Sequence, residues 1–199
     1  MKINKGFILT LIVLLILAIY LVNIEKQRDI EKSSIQTACE KFIELTDKYI
    51  VLPEHLQENM QEVTDNQIKE NIDKYSQEMK KELEKQMVSN KEDIELQHKF
   101  YKMQLKKGYN GIQIRTKYDR KIIKITQYEF DKEKVKVQFN SKVTEKIKIG
   151  DEEQEKSFET YGDEIILQKI DGNWKIVYSN LHNNVNYYGE YYEDSMMIY

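Results

Sequence analysis

Across 199 residues there is one cysteine, Cys39, and one proline, Pro53, and no glycine lies between Val22 and Lys107. A lone cysteine closes no intramolecular disulfide, so the fold must be stable without one in any compartment. Cys39 also lies well beyond the apolar run ending at Val22, which excludes the lipid-bearing cysteine of a lipoprotein. His55, His98 and His182 fall in no His-Glu-x-x-His or comparable spacing, and there is no glycine-rich phosphate loop, so neither a metal site nor a cofactor is expected. Basic charge is not in excess either. Apart from Lys2 and Lys5, 29 Lys and Arg side chains face 34 Asp and Glu, a net −5, which gives no electrostatic reason to expect nucleic-acid binding.

One stretch lacks charge altogether. Gly6 to Val22 is a run dominated by Leu, Ile and Val, and at about 1.5 Å per helical residue it reaches roughly 26 Å, enough to cross a bilayer core. A cleavable signal would end in small residues three apart. Here Ala18-Ile19-Tyr20-Leu21-Val22-Asn23 places bulky side chains in that position, which predicts a retained anchor. Lys2, Lys5 and the amino terminus precede the run, whereas Lys26, Arg28 and Lys32 follow it among Glu25, Asp29 and Glu31. The positive-inside tendency then predicts a single-pass protein of the cell membrane, with tail 1–5 in the cytoplasm, span 6–22, and the C-terminal domain outside the cell. Usage rich in Lys, Glu, Ile, Asn and Tyr, in an exported domain without disulfides, points to an AT-rich Gram-positive bacterium.

The remainder changes character near Gly108. In 30–107 apolar residues recur at helical spacing: Ile35, Cys39, Phe42, Thr46, Tyr49; then, after a break at Pro53, a short piece with Leu56, Met60, Val63; then Ile68, Ile72, Tyr75, Met79, Leu83, Met87; and Ile94, Tyr101, Leu105. Ser33-x-x-Gln36, Thr64-x-x-Gln67 and Ser89-x-x-Glu92 predict helix starts, and Gly108 a stop. In 112–181 the period becomes two. From Val135 to Ile149 the odd positions are mostly apolar, including Val135, Val137, Phe139, Val143 and Ile147, and the even ones polar and largely basic, which predicts a strand with one buried face. Lys121 to Phe130 reads as its partner, Gly150 to Lys156 as a charged loop, Phe158 to Ile170 as a third strand with a bulge at Gly162, and Asp171-Gly172-Asn173 as a turn into a fourth strand with Trp174, Ile176 and Tyr178. These elements predict one α+β domain, 23–182, with helices on one face of a curved antiparallel sheet, followed by a Tyr-rich tail, 183–199.

The closing hairpin Leu167-Gln168-Lys169-Ile170-Asp171-Gly172-Asn173-Trp174-Lys175-Ile176-Val177, after a helical half and long strands, resembles the end of an NTF2-like domain, with Asp171, Gly172 and Trp174 as its signature. The resemblance implies an NTF2-like cone on an N-terminal anchor, as in VirB8-like assembly proteins of conjugative secretion systems and in regions preceding amidase-type domains of Firmicute surface proteins. Enzymes of that superfamily place an acid, a Tyr and a His inside the cone. The inward positions assigned here are Val, Ile, Phe and Trp, so a non-catalytic binding or assembly domain is expected, with a protein partner or self-association. A small-ligand or cell-wall sensor of the same fold is the first alternative, and an enzyme using the cone cavity the second.

Two further features are candidates for contact. Lys136, Lys142 and Lys146 form a basic row on the polar face of the second strand. Tyr187, Tyr188, Tyr191 and Tyr192 make the tail unusually aromatic, a composition favoured at interfaces. Cys39 shares the apolar stripe of its helix and reads as core, while His98 reads as solvated.

Overall fold

A computed structural model describes residues 5–54, 65–88, 91–107 and 113–181. The chain divides into two compact units, Met1–Thr37 and Ala38–Tyr199. By backbone, α1 runs unbroken from Lys5 to Ile50, so no separate helix begins at Ser33. Ser33 is instead an interior helical residue whose carbonyl accepts the Thr37 hydroxyl at 2.9 Å. The sequence from Asn23 to Ser34 has neither Gly nor Pro, so nothing interrupts the i to i−4 hydrogen-bond ladder there.

In the first unit, Leu11 to Leu17, Ile19, Leu21 and Val22 are all about half exposed or more. A helix apolar on every side has no face to turn toward water. This one is long and apolar enough to span a membrane.

The second unit is α+β. α1 reaches it through a buried stripe, Cys39, Phe42, Thr46 and Tyr49, and stops ahead of Pro53. The residues of α2 (Asp65–Gln86) and α3 (Lys91–Lys107) on the predicted stripes, Ile72, Met79, Leu83, Ile94, Tyr101 and Leu105, are buried. The two helices are clasped by the ion pairs Lys80–Glu95 and Lys102–Asp73, the latter at 2.7 Å. Leu56, Met60, Val63, the caps Thr64 and Ser89, and Gly108 lie outside the described residues.

β1 (Gln113–Asp131), β2 (Lys134–Ile149), β3 (Glu152–Ile170) and β4 (Asn173–Asn180) form an open antiparallel meander in the order β1-β2-β3-β4. The odd positions of β2 from Val135 to Ile147 are all buried. The helical layer covers this face. The Arg120 amide on β1 donates to Asp47 of α1, and the Val88 amide, just past α2, donates to Ile176 of β4 at 2.7 Å. The segment expected to be a charged loop, Glu152 to Lys156, is strand, because its carboxylates lie across from the lysines of β2: Lys146 reaches Glu153 at 3.3 Å and Glu155 at 3.6 Å. Opposite charges on facing positions take the place of apolar alternation.

Two bulges shape the inner face. On β3 the ladder passes from Ser141↔Thr160 to Phe139↔Asp163, with Gly162 at φ +74 in the extra position. Thr160 and Asp163, an odd number of residues apart, thereby both point inward. On β1 the shift at Thr116 does the same for Arg115 and Tyr118.

Candidate functional site

The inner face is not uniformly apolar, which corrects the expectation of Val, Ile, Phe and Trp alone. Arg115, Arg120, Ser141, Glu145, Thr160 and Asp163 are all buried on it, beneath Asp47 of α1. Arg115, with no exposure at all, places Nε 3.3 Å from Glu145 Oε2 and its guanidinium 5.2 Å from the centre of the Tyr118 ring. Arg120 Nη1 lies 3.1 Å from Asp163 Oδ2 and its Nη2 donates to the Tyr118 hydroxyl at 3.2 Å. The Ser141 and Thr160 hydroxyls both donate to Asp163 Oδ2 at 2.6 Å. Each bulge brings one half of this arrangement together.

Asp47 Oδ2 accepts the Arg120 amide at 2.6 Å. Burial pushes its carboxyl up to about 7, against the opposing pull of the Arg120 guanidinium and of that amide. Its protonation therefore changes near neutral pH. Burial works against charge on Arg120, but Tyr118, Asp163 and Asp47 outweigh it and hold the guanidinium ionised. Two buried arginines thus face three buried carboxyls, one of them near half-protonation, and the charges come close to balance. Tyr101 of α3, fully buried, carries a hydroxyl raised chiefly by burial and hydrogen-bonded by Thr46 and Ser179.

Beside the network a cleft of about 640 Å³ opens between α1 and β1, lined by Glu40, Ile43, Glu44, Asp47 and Lys48 on one side and Tyr118, Asp119, Arg120, Lys121 and Ile122 on the other. Its lining mixes four carboxyls with three cationic side chains, and Ile43, Asp47, Tyr118 and Arg120 are its buried members.

The residues singled out from the sequence lie elsewhere. Lys136 bridges Glu129 at 3.1 Å and Glu164 at 4.0 Å, Lys146 is paired across to β3, and Lys142 is exposed. The basic row is thus interleaved with carboxylates. Asp171 and Gly172, both with positive φ, make an exposed turn, and Trp174 is half-buried under the Lys169 ammonium, 5.4 Å from its ring centre. Tyr187, Tyr188, Tyr191, Tyr192 and His182 fall outside the described residues. His98 is buried, not solvated: its imidazole is hydrogen-bonded to the Ser76 backbone, and burial holds its pKa below the usual value. Cys39 is core, its thiol pushed up to about 12 by burial, so little thiolate exists at neutral pH. Among the described residues no group of His, Cys, Asp or Glu is placed to hold a metal ion.

Ser141 and Glu145 carried a readable signal, since both interrupt the apolar odd positions of β2. Arg115, Tyr118 and Arg120 did not, because the bulge at Thr116 breaks the period of two.

No protein-family model matches the sequence. No curated protein matches it. Among solved structures, one similar chain is the intermembrane space region of the chloroplast protein ARC6, at 11% identity and a TM-score of 0.32, covering 59% of this chain and 96% of that one. A likeness at that level carries no argument about role, and the site is read from its own geometry.

Proposed function

We propose that this is a single-pass bacterial membrane protein, of the Gram-positive type, whose retained anchor holds an NTF2-like domain outside the cytoplasm, and that the domain works by binding protein in an envelope assembly, without catalysis. One observation carries the binding reading: the buried polar groups of the inner face are engaged with one another. Asp163 is held by Ser141, Thr160 and Arg120, and Glu145 by Arg115. Groups committed in this way stabilise and specify a fold, whereas a general acid or base needs a path to substrate. Contact is then left to the outer surfaces. The bulky residues at 19–22 and the helical backbone through them support retention of the anchor.

The test is cross-linking of the full chain in its native membrane, together with protease added to intact protoplasts. Discrete protein adducts and digestion of the domain from outside are expected. A domain protected in intact cells would overturn the orientation, and the absence of any adduct would overturn the binding role.

A second reading, a small-ligand sensor, rests on the cleft between α1 and β1, with Asp47 and Arg120 in its lining. It predicts saturable binding of a small molecule that Asp47→Asn weakens, and it fails if that variant leaves all ligand binding unchanged.

A further inference from the structure

β1 is an edge strand of nineteen residues, and no strand pairs with its outer side among the described residues. Edges of this length are templates for another strand unless something blocks them. The two halves of β1 differ in this respect. At Arg120 the amide is already taken by Asp47, so α1 closes the edge there. Beyond Lys121 the surface is of another kind: Ile123 and Phe130 are 51% and 46% exposed, and Phe130 stacks on Tyr128 with ring centres 6.2 Å apart.

The order of side chains in this half is self-complementary. Ile125, Tyr128 and Phe130 lie across from Phe139, Val137 and Val135, on the inner face, while Lys124 and Glu129 lie across from Asn140 and Lys136, on the outer face. Let a second β1 run antiparallel to the first about a twofold axis between Thr126 and Gln127. Lys124 then meets Glu129 and Ile125 meets Tyr128, each pair occurring twice. Facing positions of an antiparallel pair share a face, so Lys124 with Glu129 on the outer face and Ile125 with Tyr128 on the inner face both match. A twofold contact has to be complementary to itself in this way.

The geometry points to the open half of β1 as the surface on which two copies of this chain pair edge to edge, joining their sheets. This inference rests on the proposed binding role and names its partner as a second copy.

The experiment is a charge exchange in the full chain, in detergent micelles, followed by sedimentation velocity over a concentration series. Lys124 and Glu129 are exposed, and the melting temperature of each variant checks that the fold is kept. The wild type is expected to be a dimer. Lys124→Glu and Glu129→Lys each set like charges opposite one another and should weaken it by about tenfold or more, from two altered cross-strand pairs per dimer. The double variant K124E/E129K should restore it. Because the anchor is unchanged throughout, a dimer held by the membrane helix alone would ignore all three variants, and that result overturns the pairing. So does a wild type that stays monomeric, as it would if the irregularities at Ile123 and Thr126 blunt the edge. A monomer that dimerises only after removal of residues 182–199 would place the chain's own tail on the edge and also overturn it. In each of these cases the cross-linking of other proteins in the native membrane stands as a separate result.

Discussion

Asp47 is the side chain whose behaviour is most directly measurable. Its folded pKa, about 7, lies above the ordinary 3.8, so between those values the folded chain holds a proton that the unfolded chain has released. Stability from this group is therefore fully present below about pH 4 and declines as pH rises toward 7. Asp47→Asn keeps an oxygen for the Arg120 amide and removes the titration. The melting temperature of the variant relative to wild type should rise from pH 5 to pH 8, and a constant difference would contradict the assignment. Asp163 is the opposite case. Three donors converge on it with no exposure to water, so Asp163→Ala leaves Arg120 buried without its carboxylate. The loss expected in urea unfolding is about 3–5 kcal/mol, far more than for a surface ion pair such as Lys85–Glu82.

At the scale of elements, the turn between β3 and β4 has both central residues in the left-handed region, Asp171 at φ 49 and Gly172 at φ 79. That is the conformation of a type I′ hairpin. A Cβ at 172 would meet nothing within 4 Å, so Gly172→Ala should cost only the backbone strain, about 1–2 kcal/mol in thermal unfolding. The hairpin was legible because Asp-Gly is a turn signal and the flanking residues alternate. α2, α3 and β2 were legible for the same kind of reason, an unbroken period. What escaped the sequence had its period broken or replaced. The bulge at Thr116 puts Arg115 and Tyr118, three residues apart, on one face, Glu152 to Lys156 pair through charge, and the capping pattern at Ser33 lies inside a helix that nothing interrupts. The candidate site suffered most, since its two halves depend on bulges. Only Ser141 and Glu145, on bulge-free β2, stood in view.

For the whole molecule, the N-terminal helix governs handling. Leu14 and Leu17, both at least half exposed, lie within the apolar stretch. A carboxylate near the middle of a span costs about 2.5–3.5 kcal/mol. The full chain should stay in the membrane pellet after alkaline extraction and be released by the double change Leu14→Asp, Leu17→Asp, and intact mass should begin at Met1. Release of the unmodified chain by alkali would contradict the spanning role. Within the second unit, the bulges bear on tolerance to changes in chain length. Gly162 is a spare link: remove it and Thr160, Tyr161 and Asp163 still alternate in, out, in against Ser141, Asn140 and Phe139. Thr116 is a second such link, between Arg115 and Lys117. A deletion inside β2, which holds the middle of the ladder between two neighbours, has no slack to draw on and turns every later side chain over. β2 tolerates no change in its count, whereas β3 holds one residue in reserve against it and β1 holds three.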